Sequence, residues 1–587
     1  MEWNQVDWRK AEMAVWKLQK RIYRAYINGD AKKGRRLQKT LIKSYYNRLL
    51  SVRKVSQDNQ GKKTAGVDRV KSLTPKQRLI MAENLKPEDK AKPIRRVWIP
   101  KPGKKEQRPL GIPVMRDRAA QALVKAALEP EWESRFEQNS YGFRPGRGAH
   151  DAIEAIFNSI NKKAKFVLDA DIAKCFDKIN HDKLLNKLNT FPKIRRQIRA
   201  WLKAEICDYS KHDRTPNHEG TPQGGVISPL LANIALHGLE LRIKEYAATL
   251  KGSKEKNRKA LYLIRYADDL VIIHENIDVI HECQRIISEW LAEFDLEIKP
   301  EKTQIVHTLK PHNGKKPGFN FLGFNIRQYK VGKYQSGKHN GQTLGFKTII
   351  KPSDESVRRH YAQVAEIIRK HNSAPQSALI SKLNPIIRGW SRYYRTVCSK
   401  DIYSKLGKLT FDRLKRWAYR RHPNKNRHWI VNKYWTTIGK DNWVFGENDR
   451  VYLLKHAKTA IKRHTKVKGK TTPYDGNTIY WAKRRGVHPE LSDSIAYMLK
   501  VQKGKCNWCG LNFQTGDLME KDHITPKSIS GNIKNNLQLL HKHCHDIKTK
   551  DDLKAIKKHK SRQGYLKFIK KFNLSNWKWI DDIPTLV

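Results

Sequence analysis

Apolar positions change period several times along this chain, and the changes divide it. Up to about residue 75 they recur at helical spacing inside basic, aromatic stretches such as Trp16-Lys-Leu-Gln-Lys-Arg-Ile-Tyr23, which predicts helices. Pro93 to Pro113 then reads as a strand, a basic turn and a second strand, the turn running from Lys101 to Arg108. In the strand-like run Lys165-Phe-Val-Leu-Asp169-Ala-Asp171, alternation places Asp169 and Asp171 on one face. A glycine loop, Gly220-Thr-Pro222-Gln223-Gly224-Gly225, leads to Ser228-Pro229-Leu-Leu-Ala, where Ser228 is expected as a helix N-cap and Pro229 in the first turn. Two aliphatic stretches, Ala260 to Arg265 and Leu270 to Ile273, predict a hairpin bent at Tyr266-Ala267-Asp268-Asp269. From Lys351 the pattern turns helical: Asp354 and Glu355 suit a first turn, Val357 to Ile368 carries one apolar face, and a helix is expected to restart at Asn384-Pro385. Residues 440–490 are basic and loop-rich and carry no motif.

Size and charge narrow the classes. A chain of 587 residues exceeds what one core serves, so three or more domains are expected. Lys and Arg number 119 against 57 Asp and Glu, a net charge of +62 spread along the whole length, which calls for a large polyanionic partner and so for nucleic acid. No apolar run is long enough to span a bilayer, and Met1-Glu-Trp-Asn-Gln lacks the features of a secretory signal, so no membrane partner is expected and the cytoplasm is the default. Of seven cysteines, Cys175, Cys207, Cys283 and Cys398 stand singly among apolar neighbours, whereas Cys506, Cys509 and Cys544 cluster with histidines. That clustering indicates a metal in a reducing compartment in place of disulfides.

The chemistry lies in carboxylates, imidazoles and thiols. Two adjacent aspartates at a hairpin bend make either a plain turn between core strands or, with a carboxylate from the Asp169/Asp171 face, a site for two Mg²⁺ ions about 4 Å apart that serves phosphoryl transfer. Lys101 and Arg108 on a stiff hairpin suit a triphosphate, through charge and a guanidinium fork. Near the C-terminus, Cys506-Asn-Trp-Cys509 and His541-Lys-His543-Cys544 have the spacing of a tetrahedral zinc site, with His541 or His543 as the fourth donor. Between them lies Glu520-Lys-Asp522-His523, followed by Asn535-Asn536 and by His545 after the last cysteine. An imidazole there can deprotonate water while Asp522 and His545 hold Mg²⁺ or Mn²⁺ against a phosphate.

The order Asp171 to Phe176, then Gly220-Thr-Pro-Gln223-Gly-Gly, then Tyr-Ala-Asp268-Asp269 resembles the A, B and C motifs of reverse transcriptases in their group II intron branch. The Asp522-His523 block between the cysteine pairs resembles an HNH nuclease, although His541 stands where many such proteins have a fourth cysteine. The resemblance to a group II intron-encoded protein implies an α+β multidomain fold: right-hand polymerase fingers and palm, an α-helical thumb (domain X), and a small zinc-braced ββα HNH domain. It implies an N-terminal RNA-binding extension over 1–75, fingers and palm over 76–340, domain X over 345–438, a basic connector over 439–490 that touches DNA or is a solvated linker, and the nuclease over 491–587. Asp171, Asp268 and Asp269 would bind the catalytic Mg²⁺ pair. Lys101, Arg108, Phe176, Gln223 and Lys302 would face the incoming nucleotide, Phe176 excluding a 2′-hydroxyl and Lys302 protonating pyrophosphate. Arg144 and Arg147 would contact template or phosphate. In domain X, Arg388, Trp390, Arg392, Tyr393, Arg395 and Arg421 would meet RNA, since interleaved arginines and aromatics suit phosphates and stacked bases. His523 would be the general base of the nuclease, with Asp522, His545 and Asn536 at its catalytic metal. The implied partners are intron RNA, target DNA and deoxynucleoside triphosphates. Two rival readings are a splicing maturase that keeps the polymerase only as scaffold and a stand-alone retron-type reverse transcriptase. The first is disfavoured by the intact aspartates and Gln223, the second by the presence of domain X and HNH segments.

Overall fold

The computed structural model describes residues 2–100, 106–210, 213–485, 493–513, 517–530, 536–571, 577–580 and 583–586. They form two compact units: Met1–Gly476 with Pro489–Leu491, and Asn477–His488 with Ser492–Val587.

In the first unit the N-terminal stretch folds as helices Trp8–Ile27, Ala31–Lys43 and Tyr45–Arg53, the first two capped by Asp7 and Asp30 accepting from the backbone N–H groups of Lys10 and Lys33. Their inward polar side chains bind the long helix Met115–Arg135: Gln19 donates to Ala126 O, Gln38 to the Glu131 carboxylate and Asn47 to Leu123 O. A four-stranded sheet follows, in the order Gln107–Ile112, Ile94–Pro100, Ile206–Asp208, Asp213–Thr215.

The central sheet is antiparallel, in the order Tyr262–Tyr266, Asp269–His274, Phe166–Asp171, Gln304–His307. Its inner strands are covered on both faces, which explains why Leu270 to Ile273 reads as an unbroken apolar run: all four are buried. Helix Ser228–Leu236 begins one residue earlier than expected. Ile227 is the N-cap, and the Ser228 hydroxyl turns back to donate to Pro222 O, closing the glycine loop in place of capping the helix.

Helices Asp354–Lys370, Gln376–Tyr394, Lys400–Arg421 and Arg427–Tyr434 make a bundle about Val364, Leu379, Leu383, Leu414 and Trp417. Asp354 and Glu355 lie in the first turn of its opening helix. The helix expected to restart at Asn384-Pro385 is continuous instead. Pro385 is exposed, so the hydrogen bond it forgoes lies on the solvent side, while Asn384 accepts from Leu454 N and donates to Tyr452 O.

The boundary expected at 438 cuts a structural element. Strand Trp435–Ile438 pairs with Asp441–Phe445, and Trp435, Phe445 and Leu453 belong to the bundle core. The following segment is bound to the first unit as far as Tyr474. Lys462 N donates to Arg395 O, His464 and Val467 N meet the Asp151 carboxylate, and the Tyr474 hydroxyl donates to Glu129.

The second unit holds helices Thr478–Arg485 and Asp493–Val501, the antiparallel strands Met519–His523 and Leu537–His541, and the helix Lys542–Lys571 that leaves the second strand directly. No helix among the described residues is long and apolar enough to cross a membrane.

Candidate functional site

Strand pairing builds the carboxylate site. Asp171, last residue of its strand, stands in register with Asp269, first residue of the neighbouring one, and Asp268 occupies the turn that joins Tyr262–Tyr266 to that second strand. Asp268 O accepts from Ile172 N and Asp171 O from Lys299 N, so the backbone of both ends is fixed. Burial, followed by the charges of Asp268 and Asp171, pushes the Asp269 carboxyl up to about 7. Burial likewise raises Asp268, with Asp171 adding to it, and raises Asp169 to about 6 against the hydrogen bond from Gln304. Carboxylates that repel one another in a part-buried site fit a divalent cation, which converts that repulsion into binding. Lys302, expected on the nucleotide side, is paired with Asp171. A cavity of about 370 Å³ opens beside them, lined by Asp169, Asp171, Asp269, Lys302, Gln304 and Asn320 among others.

The neighbouring loop approaches from Gly220. At φ +80° that residue adopts a conformation an L side chain avoids, and a β-carbon there would meet the Asp177 backbone at 2.5 Å. Gln223 donates its side-chain amide to both oxygens of Asp177, at 3.2 and 3.3 Å, and its backbone carbonyl accepts from Gly111 N, tying the loop to strand Gln107–Ile112. Phe176 lies edge-on to Phe143 with centroids 5.8 Å apart. Arg108 is exposed at the strand end, and Lys101 lies outside the described residues.

Several arginines and aromatics expected to contact nucleic acid face inward. Arg144 is 4% exposed, forks onto Glu133 at 2.8 and 2.9 Å, and donates to Glu137 O and Ser140 O. Arg147 is buried too, donating to Gln138 O and to Gly469 O and Thr471 O. Trp390 stacks on His360 at 4.6 Å and packs on Tyr394 and Tyr403. The Tyr393 hydroxyl donates to Leu322 O, and Arg395 is buried with Nε directed at Ala460 O. The three arginines and Tyr393 donate to carbonyls or carboxylates of their own chain, and the Trp390 ring packs among aromatic side chains, so each of the five has a structural part in the fold. Arg421 donates to Asn372 O and Ala374 O from a half-buried position, and Arg392 is half-buried. Arg388 is exposed, as the expectation requires.

In the second unit Cys506, Cys509, His541 and Cys544 are buried with their donor atoms within 4.8 Å of one another. Three thiols and an imidazole at that spacing suit a tetrahedral soft-ligand ion. His541 turns Nδ1 to Cys509 Sγ at 3.4 Å and Nε2 to Asp517 at 3.4 Å, the carboxylate-to-histidine relay that orients a metal ligand. The choice left open by the sequence thus falls on His541. Asp522 and His545 also converge, Asp522 Oδ1 lying 3.6 Å from His545 Nε2, while Glu520 holds His545 Nδ1 at 2.8 Å. The other Asp522 oxygen is engaged by Gln538 and Lys548. His523 is half-buried at the end of its strand. The Asn536 amide donates to Thr525 O and Ser530 Oγ and accepts from Thr525 N, contacts that hold it to the segment after the first strand.

Four contributors escaped the sequence reading. Lys548 and Glu520 anchor Asp522 and His545, and only the register of strand and helix reveals them. Gly142 and Arg265 brace the Asp268 turn. For Arg265 a signal existed in a lone charge inside an apolar strand.

Comparison with known proteins gives four family matches in chain order. Residues 3–85 match the N-terminal domain of reverse transcriptase, 99–326 reverse transcriptase (RNA-dependent DNA polymerase), 357–435 the group II intron maturase-specific domain, and 506–551 HNH endonuclease. Among relatives, Protein YkfC of Escherichia coli is 31% identical over 313 residues, covering 47% of this chain and 79% of that protein. The group II intron-encoded protein LtrA of Lactococcus lactis is 32% identical over 277 residues, 37% of this chain and 45% of LtrA. Maturase-like protein 1 of Euglena longa is 25% identical over 417 residues, 67% of this chain and 78% of its own length.

Proposed function

The chain belongs to the family of group II intron-encoded proteins, with reverse transcriptase, maturase and HNH endonuclease domains, and from that premise we propose that it works as a ribonucleoprotein with its intron RNA. It assists splicing of that RNA and carries it to duplex DNA. There the RNA reverse-splices into one strand, the nuclease nicks the other, and the new 3′-hydroxyl primes copying of the intron into DNA.

In this reading the central sheet is a polymerase palm, the preceding sheet the fingers, and the bundle a thumb. Two Mg²⁺ ions on Asp171, Asp268 and Asp269 would activate the primer hydroxyl and stabilise the leaving pyrophosphate. Arg108, and Lys101 with it, hold the triphosphate. Phe176, backed by Phe143, narrows the pocket at the sugar and favours deoxynucleotides, and Gln223 is oriented by Asp177 because an amide facing a carboxylate must present its N–H groups to it. Lys302 balances Asp171 and stands near enough to supply a proton to the leaving group. In the nuclease His523 takes the proton from water, and Asp522 and His545 are the residues for Mg²⁺ or Mn²⁺. Cys506, Cys509, His541 and Cys544 would hold structural Zn²⁺, and free thiols of that kind suit the reducing cytoplasm.

The observation that carries the polymerase reading is the register of Asp171 against Asp269 with Asp268 in the adjoining turn. The test mixes purified protein and its transcript with one duplex target at several salt concentrations and reads nicking, reverse splicing and cDNA together. Asp268→Ala should abolish cDNA and spare nicking, whereas His523→Ala should abolish nicking and with it cDNA on intact duplex, cDNA returning on pre-nicked DNA. Full extension by Asp268→Ala removes the metal assignment; wild-type nicking by His523→Ala removes the general base.

A further inference from the structure

Arg265 is among the largest side chains withdrawn from solvent in the molecule, at 2% exposure. No carboxylate lies within ion-pair distance of it among the described residues, Glu137 and Glu240 acting only at longer range. Glu137 is itself taken up by His237 and Gly238 N. A buried cation without a contact counter-ion is costly to hold, so the geometry it imposes repays inspection. Nη1 donates to Asn233 Oδ1 and to Ala267 O, both at 3.1 Å, and Nη2 to Ser140 Oγ at 2.8 Å. Ala267 sits at φ +58°, a left-handed conformation that a β-carbon disfavours. The other side of the turn rests on Gly142, where a β-carbon would stand 2.3 Å from Ala267 N. Asn233 joins the two supports by donating to Gly142 O at 2.8 Å.

We infer that Arg265 is a positioning residue for the carboxylate site: with Asn233 and Gly142 it clamps the Ala267 turn at one height, and so sets where Asp268 and Asp269 stand against Asp171 when a divalent cation is bound. The inference rests on the reading of those aspartates as metal ligands. A lysine would keep the charge and lose the fork that reaches three segments at once.

The test uses the full chain. Mn²⁺ uptake is followed by the paramagnetic signal of the free ion, the component abolished by Asp268→Ala defining the site, and Mg²⁺ is titrated in primer extension. Arg265→Lys should weaken that component about tenfold or more and raise the Mg²⁺ half-saturation equally, as loss of a ligand-orienting contact does. The KM for deoxynucleotide, DNA nicking and RNA affinity should stay at their wild-type values. Gly142→Ala, which leaves the cation alone and pushes the turn from the other side, should reproduce the loss of metal affinity and decides the matter if Arg265→Lys does not fold. Wild-type Mn²⁺ affinity in either folded variant, even with slower extension, overturns the inference. Unchanged Mn²⁺ uptake and extension by Asp268→Ala would instead remove the metal reading and this inference with it.

Discussion

At the scale of single residues, burial separates the arginines that hold the protein together from those free to meet a phosphate. Arg144 and Glu133 are 1% and 0% exposed at their side chains, so removing one leaves the other charged, dry and unpaired. Arg144→Ala is expected to cost about 3–5 kcal/mol in denaturant unfolding of the first unit. Arg388→Ala should leave unfolding unchanged and weaken RNA binding across sequences, lowering the slope of log affinity against log salt by about 1. Measuring both quantities on both variants checks the division, and a stability loss confined to Arg388→Ala would reverse it. Sequence could not make this division. In one chain, Arg-rich stretches around Gly-Phe143-Arg144 and Trp390-Ser-Arg392 have the composition of a nucleic-acid surface, and which guanidinium turns inward depends on carbonyls brought up from segments remote in sequence, such as Gly469 and Ala460.

At the scale of elements, the hairpin carrying Asp268 was legible because both its strands are largely apolar and its bend is polar. The bundle was legible from its 3.6-residue period, but not the join between its opening helix and the segment after Leu454, which has no period. That join is a contact between two imidazoles, His360 Nε2 and His456 Nε2, 2.8 Å apart and both buried. One must donate and the other accept, so the two cannot both be charged. Burial, with His456 adding for His360, drives them down to about 3 and about 4. Below the ordinary histidine value near 6.5 the unfolded chain takes up protons that the folded bundle refuses, so the stability supplied by the pair is whole above that pH and drains away as pH falls towards 4. His456→Gln keeps a donor and an acceptor and cannot titrate. Urea unfolding at pH 7, 6 and 5 should show the wild type losing stability faster than this variant by up to about 1.4 kcal/mol per pH unit. Parallel slopes would mean that the imidazoles are already solvated in the native state.

At the scale of the whole molecule, a net charge of +62 and a run of motifs announced a nucleic-acid partner and the order of the domains, whereas the place where one folded body ends was hidden. Composition turns basic and loop-rich near residue 440, and a boundary at 438 follows naturally from it. The structure puts Trp435 and Phe445 across one two-stranded sheet and in one core, then binds the chain to Asp151 and Glu129 as far as Tyr474. Backbone pairing and side-chain acceptors of that kind leave no compositional trace, because the binding segment supplies N–H groups, a hydroxyl and a few apolar rings in place of a periodic apolar face. Two truncations separate the alternatives. A chain ending at 438 loses Phe445 and Leu453 from the bundle and leaves Trp435 exposed, which amounts to deleting several large buried side chains at about 2–5 kcal/mol each, more than a marginally stable domain holds in reserve. It should be recovered only as aggregate or as a bundle without cooperative melting. A chain ending at Gly476 retains the whole first unit and should melt cooperatively, extend an annealed primer on RNA with Mg²⁺, and fail to nick duplex DNA. Equal folding of the two would show that the segment from 439 to 476 is accessory, and nicking by the longer one would move the nuclease out of the second unit.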